Sequence, residues 1–284
     1  MGQIVNRRRV FGGGRVNGDG NYLTFTAITD FQVMFKSAVS KEDYSVILNT
    51  LQYSVDDGNT WVQLQDSTYT PLITTGNSIM FKGNCVVGYD VEYEDSIGRF
   101  AQDTASGSFE VSGNIMSLLF GDNFANKTSL VGYVSFGFKL FASLPITDAS
   151  KLTLPATTLA DGCYNRMFNG CGSLTSTPEL PATTLAMGCY FYMFNGCTSL
   201  TTAPELPART LVTNCYTGMF RNCTKLNYIK CLATDISANN CTTSWVYGVA
   251  SSGTFYKNSS MFESTWGRGV NGIPGNWSIY NVNS

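Results

Sequence analysis

Leu180-Pro181-Ala182-Thr183-Thr184-Leu185-Ala186-Met187-Gly188-Cys189-Tyr190-Phe191-Tyr192-Met193-Phe194-Asn195-Gly196-Cys197-Thr198-Ser199-Leu200-Thr201-Thr202-Ala203-Pro204-Glu205 is the middle one of three successive copies of a 26-residue unit. The copies begin at Leu154, Leu180 and Leu206 and end at Cys231. The first two agree at 20 of 26 positions and the last two at 12, so the repeat fades toward the C-terminus, as a capping unit does. No single unit can bury its own Leu, Met and Phe side chains, so the copies are expected to stack into a solenoid.

Each unit divides into two parts. Cys163, Tyr164, Met167 and Phe168 stand at i, i+1, i+4 and i+5, a spacing that predicts one side of a short helix, and they recur as Cys189, Tyr190, Met193, Phe194 and as Cys215, Tyr216, Met219, Phe220. After the turn Asn169-Gly170-Cys171, residues 173–180 are rich in threonine and contain Pro178, which predicts an extended strand. One short helix and one short strand per 20–29 residues is the plan of a leucine-rich repeat. The predicted fold class is therefore mainly β with short helices, an Ig-like β-sandwich at the N-terminus followed by a short capped leucine-rich-repeat solenoid.

The run Leu-Pro-Ala-Thr-Thr-Leu-Ala followed by Cys-Tyr-x-x-Met-Phe-x-Gly-Cys-x-Ser-Leu-Thr, as in 180–201, resembles the BspA-like leucine-rich-repeat proteins of gut Bacteroidetes and of the phages that infect them. The likeness extends from Gly113-Asn114-Ile115-Met116 through Leu226-Asn227-Tyr228-Ile229-Lys230-Cys231 to Ser237. It implies an interaction scaffold and does not imply a ligand.

At 284 residues and 43% apolar composition the chain can fold as one large or two ordinary domains. The net charge is −2, but residues 1–20 carry Arg7, Arg8, Arg9 and Arg15 against Asp19, which leaves −5 for the rest and argues against a nucleic-acid-binding body. With no histidine, the commonest general base and metal ligand is missing. Of nine cysteines, Cys163, Cys189, Cys215 and Cys241 fall in one repeat column and Cys171, Cys197 and Cys223 in another. Their equivalent positions and odd number predict reduced core thiols, and the Cys-x7-Cys spacing fits no zinc pattern. No cofactor, metal or catalytic residue is predicted, and the chain is read as a non-enzyme.

In chain order, residues 1–20 read as a basic, Gly-rich tail or anchor peptide centred on Arg7, Arg8 and Arg9, without the apolar stretch of a secretory signal. Residues 21–112 read as many short strands, hence a β-sandwich. Within them Ser54-Val55-Asp56-Asp57-Gly58-Asn59-Thr60-Trp61 fits the Asp-box pattern, in which Ser54, Asp56, Gly58 and Trp61 are expected to hold a hairpin together. Asp90, Glu92 and Glu94 share a strand face and read as a solvated or edge surface. Residues 113–153 read as a linker and N-terminal cap, 154–231 as the three repeats, and 232–284 as a degenerate repeat, with Cys241, Trp245 and Val246 in place of core residues, plus a C-terminal cap.

Positions that differ between copies are where recognition is expected. Arg166 with Phe191 and Tyr192 forms a predicted exposed aromatic group, and Glu179 and Glu205, beside Thr175, Thr201 and Asn227, a polar ladder on the strand side. The expected function is a virion structural component of a phage, a fibre, tail or capsid decoration. Residues 1–20 would dock on other virion proteins, the repeats would recognise a host-surface glycan or protein, and a homo-oligomer such as a trimer is expected. The alternative is a cell-surface adhesin. No nucleic-acid partner and no membrane span are expected.

Overall fold

Strand β1 (Leu23–Ala27) buries Leu23, Phe25 and Ala27 and is the centre of the N-terminal half. This computed structural model describes residues 21–36, 50–84, 98–103 and 106–283. Over these residues the protein is mainly β with few short helices, 26% strand against 5% helix. β1 lies between β5 (Ser78–Lys82) and β7 (Phe109–Asn114), both antiparallel to it, with Phe25 opposite Ile79 and Val111. β3 (Gln52–Ser54) and β4 (Val62–Gln63) extend the sheet beyond β5. A second sheet pairs β2 (Met34–Lys36) with β6 (Arg99–Ala101), a strand the sequence pattern did not reveal. Phe100 on β6 lies 4.9 Å from Phe25 and 4.8 Å from Phe81, so the two sheets meet across packed aromatic rings. The anchor residues Arg7, Arg8 and Arg9 and the carboxylates Asp90, Glu92 and Glu94 lie outside the described residues.

The boundary expected after residue 112 falls within a strand. β7 runs on to Asn114 and pairs in parallel with β8 (Lys151–Thr153), with Ser112 opposite Lys151 and Asn114 opposite Thr153. Phe141 is within 5.9 Å of Phe25 and 6.0 Å of Phe100 by ring centroid and within 5.3 Å of Phe168. One buried apolar cluster therefore extends from Leu23 to Trp277 through the supposed linker. Burial of a Phe side chain contributes roughly 1.5–3 kcal/mol, so Phe141 ties the two halves together energetically as well as spatially.

The expected short helix in each unit is also corrected. Residues 161–170 form a chain of turns. The amides of Cys163, Asn165, Met167, Asn169 and Cys171 bond to the carbonyl three residues back. Those of Gly162, Tyr164, Arg166, Phe168 and Gly170 bond across to Met187, Cys189, Phe191, Met193 and Asn195 of the next unit. An α-helix would instead bond each amide past its first turn to the carbonyl four residues back. Every fourth residue, Gly162, Arg166 and Gly170, has positive φ (63°, 54° and 77°), at a turn position that favours Gly or Asn. The i, i+4 columns expected of a helix arise from this four-residue turn period.

The same pattern returns at Gly188, Tyr192, Gly196, then Asn214, Gly218, Asn222, then Asn240, Ser244, Gly248. It also occurs one unit early, at Ser135, Lys139 and Ser143, within the stretch expected to be only a linker and cap. Stacked units align their core side chains. Tyr164, Tyr190, Tyr216 and Trp245 form a ring ladder at 6.0, 6.1 and 6.3 Å, and Phe168, Phe194 and Phe220 a second at 5.6 and 5.9 Å. The eight described cysteines are buried and free, and Cys171, Cys197 and Cys223 direct their Sγ to the carbonyls of Phe141, Phe168 and Phe194. Burial pushes the thiols of Cys163, Cys171, Cys215, Cys223 and Cys231 up to about 12.

The stretch expected as a strand in each repeat makes mostly single parallel bridges, such as Asp148 to Ser176 and Thr202 to Tyr228. Only the last unit carries a longer strand, β9 (Tyr228–Cys231), which continues into β10 (Thr254–Asn258) and β11 (Ser278–Val282), all parallel. The helices are single turns, α1 (Ser117–Phe120) and α2 (Glu263–Trp266). Trp245, Trp266 and Trp277 close the C-terminal end, with indole N–H groups of Trp245 and Trp277 donating to Gly272 and Ala250.

Candidate functional site

Arg166, Phe191 and Tyr192 are brought together by the turn chains of adjacent units, where the Arg166 amide donates to the Phe191 carbonyl at 2.8 Å. The guanidinium lies 5.4 Å from the Phe191 ring centre, 5.5 Å from Tyr192 and 5.9 Å from Phe138, and the two rings are 4.7 Å apart. The expected exposed pair is thus corrected to a half-buried one. Tyr192 lies over Gly218 of the following unit so closely that a Cβ there would come within 2.6 Å of its ring. The absence of a side chain at Gly218 makes room for the ring. All three side chains are partly exposed, and together they set a cation over aromatic carbon.

Glu179 and Glu205 are exposed on a different stretch of the coil, with Thr175, Thr201 and Asn227 exposed beside them. The Asn227 amide donates to the Thr201 carbonyl, which sets these two positions one above the other, and the Thr175 amide donates to Thr147 in the unit before it. Glu205 pairs with Lys230 at 2.8 Å, an exposed ion pair that contributes about 0–1 kcal/mol. Glu179 borders a depression of about 380 Å³ with Lys151, Pro155 and Pro181.

The Asp-box hairpin places β3 against β4. Asp56 accepts from the Thr60 amide at 2.9 Å, from the Thr60 hydroxyl at 2.7 Å and from Ser54 at 2.7 Å, while Ser54 Oγ accepts from the Gly58 amide at 2.9 Å. These bonds, led by the one from the Thr60 amide, lower the Asp56 carboxyl to about 2. Trp61 donates to the Gly58 carbonyl, and one ring face is occupied by the Lys82 ammonium at 4.2 Å.

Sequence reasoning missed what Trp61 joins. Lys82 donates to Asp122 at 2.7 and 3.0 Å, Tyr22 donates to Asp122 at 2.7 Å, and the Tyr22 ring meets Trp61 at 4.7 Å and Phe124 at 5.2 Å. Asp122 is held below the usual carboxylate range, chiefly by the Lys82 bond, and the Tyr22 hydroxyl is raised, chiefly by burial. Tyr22 and Asp122 are a hundred positions apart in the chain, and the group follows no local pattern. The group stitches the hairpin to the turn at Gly121–Asn123.

A cleft of about 530 Å³ lies between β6 and the first turn chain, lined by Arg99, Gln102, Asp103, Lys139 and Asn169 among others. Among the described residues no group of three or more His, Cys, Asp or Glu side chains is placed to hold a metal ion, and no helix is long and apolar enough to cross a membrane. Comparisons with protein-family models, with curated proteins and with solved structures found no match.

Proposed function

We propose that this chain is a non-enzymatic structural and interaction protein, an Ig-like β-sandwich bearing a BspA-like leucine-rich-repeat solenoid, and that it serves as a phage virion component such as a fibre, tail part or capsid decoration. The observation that carries the scaffold reading is the continuous aromatic core from the N-terminal sheets through Phe141 into the stacked units. A rigid junction of this kind suits a protein that presents one end while the other is attached. The resemblance of the repeats supports placement on a phage particle, with residues 1–20 as the docking peptide. On this reading Arg166, Phe191 and Tyr192 form one recognition surface for a host-surface glycan or protein, and Glu179 with its polar row forms another.

The test is mass spectrometry on purified phage particles beside the membrane fraction of the host. Peptides of this chain in intact particles are the expected result, together with their loss when residues 1–20 are deleted. Recovery from the outer membrane alone would overturn the virion reading and favour an adhesin.

A further inference from the structure

Among the described residues, β11 is the edge of the C-terminal sheet and lacks the usual protections. β11 reads Ser278-Ile279-Tyr280-Asn281-Val282, with no charge and no proline, the features that ordinarily keep an edge strand from pairing. Among the described residues no strand pairs with its outer side. The Ser278 amide donates to Gly253, and the Val282 carbonyl accepts from Ser259, so these two residues direct their backbone toward β10. By the alternation of a parallel ladder Tyr280 does the same, which leaves the N–H and C=O groups of Ile279 and Asn281 facing outward.

The side chains point to what this edge would take. Tyr228, Tyr256 and Tyr280 form a ladder across β9, β10 and β11, with ring centres 5.3 Å apart at both steps. Because each ring packs on the next, the inner rings have little open face for a sugar. Tyr280, 52% exposed at the end of the row, packs on Tyr256 on one side only.

We propose that two copies of this chain pair through β11, antiparallel and centred on Tyr280. With a two-fold axis there, Ile279 of each copy lies opposite Asn281 of the other, and their outward groups exchange four hydrogen bonds. Tyr280 then faces its own counterpart as a non-hydrogen-bonded pair, with Cα atoms about 4.5 Å apart and both rings on one sheet face. The ladder continues across the axis as six tyrosines, and no charge on β11 opposes it. A strand of the same sequence is the occupant whose hydrogen bonds and side chains both fit.

The test uses the purified full chain and is therefore independent of whether the protein belongs to a particle. Sedimentation of the wild type is expected to give a concentration-dependent dimer. Tyr280→Lys, which sets two ammonium groups opposite each other, weakens that dimer by roughly tenfold or more. Tyr280→Cys cross-links under mild oxidation into a reducible dimer, whereas Tyr247→Cys, exposed away from this strand, does not. Should Tyr280→Lys fail to fold, the cysteine variant decides. A wild type that stays monomeric at every concentration, or a dimer in which residue 280 forms no cross-link, overturns the proposal. A monomer would leave the edge to a strand from another protein.

Discussion

Asp56 is held by short bonds to one turn, and its carboxyl lies at about 2 in the folded chain against about 3.9 in an unfolded one. Its contribution to stability is complete above the unfolded value and is lost as the pH falls toward the folded one. The thermal midpoint is expected to fall as the pH drops from about 4 to about 2, and Asp56→Asn to flatten part of that slope. Gly218 makes a sharper test. Its φ of 60° and the Tyr192 ring 2.6 Å from a virtual Cβ mean that Gly218→Ala costs about 1–3 kcal/mol from backbone strain, with a steric penalty in addition. Chemical denaturation of Gly218→Ala with and without Tyr192→Ala separates the two, since removing the ring relieves only the clash.

At the scale of the element, the ladders carry the stack. Phe194 lies between Phe168 and Phe220 at 5.6 and 5.9 Å and is fully buried, so Phe194→Ala is expected to cost about 3–5 kcal/mol in equilibrium unfolding. The period and core columns were legible in the sequence because burial fixes Leu, Cys, Tyr, Met and Phe at the same place in every copy. The backbone between them was not. Cys163, Met167 and Cys171 recur every four residues, and a helix and a four-residue turn chain place such residues on one side alike.

The discriminating signal was the glycine and asparagine at 162, 170, 188, 196, 214, 218, 222, 240 and 248, which marks left-handed positions; Arg166, Tyr192 and Ser244 interrupt it. The stretch 134–143 reads in the sequence as a cap rather than a unit, because Leu140-Phe141 echo Met167-Phe168 at 27 residues instead of 26 and serine and lysine stand at its left-handed positions. Of the candidate surface, the grouping of Arg166 with Phe191 and Tyr192 was legible from repeat arithmetic. Its partial burial was not, because it depends on Gly218 in a third unit.

For the whole molecule, the shared core predicts one cooperative transition. Calorimetry is expected to show sheets and coils melting together, and Phe141→Ala to lower or split that transition. The eight described thiols are buried, and those whose values rise to about 12 remain protonated at neutral pH. Alkylation followed by peptide mapping is expected to leave these eight unmodified in the native protein and to label them once denaturant is added.

The cross-unit amides of 161–170 and of 187–196 follow the same pattern, so each unit accepts on its underside, from the unit before it, the same bonds that it donates from its top to the unit after it. Reach is then a matter of copy number. A duplicate of 180–205 inserted after Glu205 would meet matching donors below and matching acceptors above, and would move the far end outward by about one ring spacing, 5.6–6.1 Å, without creating a new end to protect.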